Sequence, residues 1–202
     1  MVVVPTRDRR AERREATRAE ILDAAWELAR AQGLAGLSLR EVAAKVGMRP
    51  PSLYYYFESK HAIYDAMFAA ANRQLLERMP DQDWPDEPRA LLRRVARIFV
   101  EFNAEDPVRS QLLFQRTIPD FEPSAESYAL ATEVLERGRQ ALASAGVSDP
   151  ADFDLWTALV SGLASQQSAN DPGGDRWLRL VEGAVDMYAG YVLSGRQARR
   201  PR

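Results

Sequence analysis

The chain of 202 residues contains no cysteine and only one histidine, His61. Without thiols there is no disulfide framework, no thiolate metal site and no cysteine nucleophile. A single imidazole leaves no histidine pair for a metal, and neither a Ser/His/Asp set nor a glycine-rich phosphate loop is legible. Glu101, Glu105 and Asp106 cluster in sequence, but with no further signal they read as solvated charges. No apolar run approaches the ~20 residues that a membrane span requires. Met1-Val2-Val3-Val4-Pro5 is too short for a signal-peptide core, and arginines follow it. No segment reads as a strand and no internal repeat is visible. The expectation is an all-α, cytoplasmic protein that is not an enzyme and needs no cofactor, metal or membrane.

Net charge is small, −2. Its distribution is uneven. Residues 1–60 hold eleven Lys/Arg against eight Asp/Glu, whereas the remaining 142 hold sixteen against twenty-one. A basic first quarter on an acidic remainder fits a nucleic-acid-reading head carried by a body with another task.

The chain is organised around residues 38–60, SLREVAAKVGMRPPSLYYYFESK. Ser38 and Glu41 have the spacing of a capping box, with Leu37 and Val42 as its hydrophobic staple. Leu39, Val42, Ala43 and Val46 recur at helical spacing. Gly47 stands where a helix end needs a left-handed residue. Pro50 and Pro51 fit only the first turn of the next helix. Leu53 and Phe57, four apart, share its inner face. Tyr54, Tyr55 and Tyr56 then splay outward, where their hydroxyls can donate to phosphate oxygens. Ser59 is suited to cap a further helix. Helix, tight glycine-bearing turn and short helix form the helix-turn-helix pattern.

These residues resemble the DNA-binding signature of the TetR family of bacterial repressors. The matching positions are Val42-Ala43, Gly47, Pro51-Ser52-Leu53-Tyr54-Tyr55-Tyr56-Phe57 and Ser59-Lys60. The similarity covers roughly residues 17–68. Tyr56 departs from the histidine common in the family, and Arg49-Pro50 from its usual small polar cap. The resemblance implies that Arg40 reaches a base edge. It implies that Arg49, Pro50, Pro51, Ser52 and Tyr55 enter the major groove, and that Ser38, Tyr54, Tyr56 and Lys60 position the DNA backbone. His61 reads chiefly as an exposed helix residue.

Around this centre the chain divides. Residues 1–16 form a basic arm, either laid on DNA or merely solvated. Residues 17–79 form the DNA-binding unit: a helix from Thr17 to about Gln32, opened by a Thr17/Glu20 capping box, then the helix-turn-helix, then a helix from Ser59 to about Met79. Residues 80–88 are a proline-punctuated linker in which Trp84 is a candidate clamp. Residues 89–195 form a helical second unit, and 196–202 a polar tail. Nine helices or so are expected in all. The last two, from Asp149-Pro150 to about Asn170 and from about Asp175 to Leu193, carry more apolar surface than one face can bury. Their small residues permit close approach, and the resemblance implies a homodimer built from them. It also implies a cavity for an unidentified small-molecule effector, for which Phe99, Phe102, Asn103, Phe114, Gln115, Tyr128 and Trp156 are the candidate lining. The function implied is a repressor on a near-palindromic double-stranded operator. A DNA-binding regulator with no small-molecule inducer, and a helical lipid- or acyl-binding protein, are the rival readings.

Overall fold

In the computed structural model, residues 9–79 and 83–199 are described, the side chains of 194–199 excepted. Among them are nine α-helices and no strand. They are α1 Arg9–Gln32, α2 Leu39–Lys45, α3 Pro50–Tyr54, α4 Lys60–Arg78, α5 Pro88–Glu105, α6 Pro107–Phe114, α7 Ala125–Ser144, α8 Pro150–Asn170 and α9 Val181–Arg199. No helix is long and apolar enough to cross a membrane among the described residues.

Proline and short polar side chains set most helix starts. Pro88, Pro107 and Pro150 occupy first-turn positions, where a missing N–H costs nothing. Glu87, Asp106, Ser124 and Asp149 accept backbone N–H groups just inside their helices. At the end of α2, Gly47 adopts φ +67°. Its N–H bonds Ala44 O at 3.1 Å, and Met48 N–H bonds Ala43 O at 2.8 Å. That is a complete Schellman closure, which turns the chain sharply into α3.

Three local expectations are corrected. α1 begins at Arg9 rather than Thr17, because Arg, Glu and Ala at 9–16 are all good helix formers. Thr17 is therefore interior, and its hydroxyl donates to Arg13 O at 3.0 Å instead of capping. Residues 1–8 of the expected arm lie outside the described residues. Ser38 is the cap residue of α2, but its side chain makes no capping bond. Glu41 instead accepts from Gln32 Nε2 at 3.1 Å, so the expected box is absent. Finally, α9 starts at Val181 after a short 3-10 turn, Leu178–Leu180, and continues to Arg199 through most of the expected tail. Gln167 Oε1 accepts the N–H groups of Trp177 and Leu178 at 2.8 and 3.3 Å, holding this stretch out of the helix.

Two cores result. The first joins α1 to α4 through Ile21, Ala25, Leu37, Val42, Leu53, Phe57, Ile63 and Met67. Leu112 and Ile118, from α6 and the loop after it, belong to the same core. The second joins α5, α7, α8 and α9 through Leu92, Val100, Leu142, Trp156, Val160, Val185 and Tyr188. Trp84 packs half-buried on it, with the Arg94 guanidinium 5.5 Å from the ring centre. Residues 80–82 of the expected linker, and 200–202 of the tail, lie outside the described residues.

Polar bonds tie α1 and α4 to the later helices. The Asp65 carboxylate on α4 accepts from Ser124 N (2.7 Å), Ser124 Oγ (2.9 Å) and Ser127 Oγ (2.8 Å), placing a negative charge at the positive end of α7. Arg30 of α1 pairs with Asp106 at 2.7 Å, and Asp106 also caps α6. Arg109 of α6 is buried, stacks 3.7 Å from the Phe102 ring centre and donates to Gln74 of α4 at 3.2 Å. Burial pulls its guanidinium below the ordinary arginine range.

Tyr64, fully buried on α4, donates its hydroxyl to the Leu34 carbonyl and so fixes the loop into α2. Burial pushes its phenol up to about 12. The folded chain therefore holds this proton at pH values where the unfolded chain has lost it. The resulting stability is complete below pH 10 and disappears as pH rises towards 12. Tyr64→Phe is expected to cost roughly 0.5–1.5 kcal/mol at neutral pH, because the Leu34 carbonyl loses this donor and keeps only the Leu37 N–H. In thermal melts, its deficit against the parent should narrow above pH 10. A constant deficit up to pH 12 would show that the ionisation is not coupled to folding.

Candidate functional site

The outer surface of the helix-turn-helix is built by α2 and α3. Arg40 is exposed on the first turn of α2. Arg49 is the cap residue of α3, which is only five residues long. Arg49, Pro50, Pro51 and Ser52 are all exposed, and Ser38 is half-buried beside them. Leu53 and Phe57 are sealed in the core, as the spacing predicts. With those two anchored, Tyr54 and Tyr55 turn outward, 54% and 69% exposed. Tyr56 is only half-buried and packs on the core, its ring edge-on to Tyr55 at 5.2 Å. Lys60 opens α4, with its ammonium 3.1 Å from the Ala35 carbonyl. His61 is exposed and lies 6.0 Å from the Phe121 ring.

Two arginines of α1 that the signature does not contain support this surface. Arg18 Nη1 donates to Tyr56 O at 2.6 Å, and its guanidinium lies 4.2 Å from the Phe57 ring centre. Arg14 stands 5.3 Å from the Tyr55 ring centre. Their four-residue spacing on one helix face was the available signal. Lys45 and Glu27 pair at 2.6 Å between α2 and α1, which holds the Glu27 carboxyl below its ordinary range. The face thus offers exposed cations and aromatic hydroxyls on a short helix fixed from behind. That arrangement suits phosphate and base-edge contacts.

A cavity of about 330 Å³ lies between α4, α5, α6, α7 and α8. Of the candidate lining residues, Phe99, Phe114, Tyr128 and Trp156 border it. Phe102, Asn103 and Gln115 do not. Phe102 is completely buried between the guanidinium groups of Arg78 and Arg109, 5.0 and 3.7 Å from its ring centre. Asn103 turns its amide back to Phe99 O at 2.7 Å. Gln115 is exposed at the end of α6. Asn72, Trp84 and Phe153 line the cavity although the sequence did not single them out for it. No group of three or more His, Asp or Glu suited to a metal occurs among the described residues.

Comparison with known proteins agrees with this geometry. Residues 21–67 match the family model described as "Bacterial regulatory proteins, tetR family". The chain is 33% identical over 162 residues to the tetracycline repressor protein class A from transposon 1721 of Escherichia coli, covering 77% of this chain and 69% of that protein. It is 31% identical over 91 residues to the HTH-type transcriptional regulator YobS of Bacillus subtilis (strain 168), covering 45% of this chain. That match spans about half of YobS, 48% of its length. In fold, the chain resembles the crystal structure of regulatory protein SCO4313, with a TM-score of 0.71 and 23% identity over 89% of this chain and 98% of that one.

Proposed function

The chain belongs to the TetR family of bacterial transcriptional regulators, and from that premise we propose that it is a homodimeric repressor, released from its operator DNA by a small molecule. One observation carries the DNA-binding reading. The tyrosine-rich α3 is anchored through Leu53 and Phe57 while Tyr54, Tyr55 and the residues at its start face outward. Arg40, Arg49, Pro50, Pro51, Ser52 and Tyr55 are assigned to the major groove. Ser38, Tyr54, Tyr56 and Lys60 are assigned to the backbone on either side.

One helix of five residues makes too few contacts to select a site alone. Two copies reading half-sites about 34–36 Å apart would do so, which asks for a near-palindromic operator. The outward faces of α8 and α9 support the pairing. Leu155, Met187 and Tyr191 are large and exposed there, as is Leu180 in the turn just before α9, and Ala158, Gly162 and Gly183 are exposed beside them. The cavity supports the effector. It reaches α4 through Asn72, and α6 through Phe114. Those helices carry the Asp65 and Asp106 bonds between the units, so a ligand that favours one arrangement of the body would bias the spacing of the heads.

Footprinting on the intergenic DNA beside the gene, followed by gel shifts with the protected fragment, tests this. Arg40→Ala should relax preference at one operator position and cost roughly 1–3 kcal/mol. Lys60→Ala should weaken binding to all sequences alike and reduce the salt slope by about one unit. Identical behaviour of both variants on specific and scrambled DNA would refute this division of roles. A complete lack of protected sites at low salt would refute the regulator itself.

A further inference from the structure

Among the described residues, no charged side chain lines the cavity. Its walls carry six aromatic rings, those of Trp84, Phe99, Phe114, Tyr128, Phe153 and Trp156. The polar groups are unevenly placed. Thr132, Thr157 and Ser161 are exposed, at the open seam between α7 and α8. Asn72 is the one buried polar residue of the lining, 3% exposed.

The protonation chemistry of these groups is fixed by their helices. Asn72 Nδ2 spends one of its two hydrogens on Phe68 O at 2.9 Å, which leaves its amide oxygen as an acceptor and its second N–H as a donor for a ligand. Thr132 and Thr157 each donate the hydroxyl proton to a carbonyl of their own helix, at 3.1 and 3.0 Å. Their oxygens likewise remain as acceptors. An ion entering this space would lose its hydration and find no counter-charge among the described lining residues. Cation–π attraction from the rings offsets only part of that loss.

Building on the effector reading above, we propose that this cavity takes an uncharged, ring-based lipophilic molecule carrying one hydrogen-bonding group such as a hydroxyl, with Asn72 as the residue that selects for that group. Its volume, about 330 Å³, lies at the small end of ligand pockets and suits a compact two-ring compound. Trp84 and Trp156 in the wall provide an intrinsic fluorescence reporter.

The test uses the full chain at pH 7 and four probes of one shape: 2-naphthol, naphthalene, 2-naphthoate and 2-naphthylmethylammonium. Tryptophan quenching and calorimetry give the affinities. 2-Naphthol should bind most tightly, naphthalene about tenfold more weakly, and both ions at least about a hundredfold more weakly. Asn72→Leu should abolish the advantage of naphthol over naphthalene while keeping naphthalene binding. Gly138 of α7 faces open space within the lining, so Gly138→Phe should fill the cavity and eliminate binding of all four without disturbing the fold. An ion that binds within tenfold of naphthol, the absence of binding by any of the four, or undiminished naphthol binding to Gly138→Phe would each overturn the proposal. Operator retention measured alongside separates the two readings. Naphthol that binds as expected without releasing DNA supports the ligand class and removes the effector role. An ion that binds and releases DNA does the reverse.

Discussion

A chain carrying Met187→Asp and Tyr191→Asp is expected to remain folded, sediment as a single protomer and lose at least about a thousandfold in operator affinity. Both side chains lie on α9 and are largely exposed, 72% and 63%. Substitution there should change protomer stability by no more than about 0.5 kcal/mol. In a two-fold dimer each substitution enters the interface twice, so four carboxylates would be desolvated without partners. The neighbouring Gly183 and, on α8, Ala158 and Gly162 are small and exposed, so in such a dimer backbones would approach closely and leave little room for water around those charges. The loss in affinity follows because half-site contacts that act together become separate and weak. Sedimentation velocity and gel shifts on the same samples check the prediction. A double variant that stays dimeric would move the interface away from the α8–α9 face. A monomer with parental affinity would refute the need for two heads.

The second large effect concerns α3. Leu53→Ala should cost about 2–5 kcal/mol and abolish DNA binding together with it. A helix of five residues has no stability of its own, because nucleation alone is unfavourable. Its position is held by the wholly buried Leu53, by Phe57 and by the Arg18 bond to Tyr56 O. Tyr55→Ala provides the contrast. Its ring is exposed, so stability should change by less than about 0.5 kcal/mol while operator affinity falls. Thermal melts and gel shifts separate the two variants. Equal destabilisation by both would make Tyr55 a packing residue and remove it from the DNA-facing set.

Much of this architecture could be read before any coordinates. Gly47 closes α2 in the left-handed conformation, and Ser59 and Asp149 cap the helices they precede. Each works through bonds to backbone atoms within a few residues, so short spacings suffice to identify them. The same locality explains the failures. Thr17 and Glu20 have capping-box spacing, yet good helix formers upstream carry the helix through them. Glu41 has the right separation from Ser38, but a neighbour on α1 offered its carboxylate another partner.

The candidate cavity shows the limit most clearly. Phe99 and Phe102 are three apart on α5 and indistinguishable by pattern, yet one lines the cavity and the other is enclosed by Arg78 and Arg109. Arg18 was legible only as a helix position, not as the brace of Tyr56. Asp65 offered no signal for its bonds to Ser124 and Ser127, fifty-nine and sixty-two residues away.

By itself, the sequence determined that the chain is helical, where most helices begin and end, and which segment presents tyrosines around a buried Leu53 and Phe57. Only the tertiary structure decided which aromatic rings share a cavity, which charges join distant helices and that, among the described residues, Asn72 is the cavity's one buried Asn, Gln, Ser or Thr. The division has a physical reason: caps, turns and periodicity act over a handful of residues, whereas a cavity and a long-range ion pair exist only once distant helices have packed.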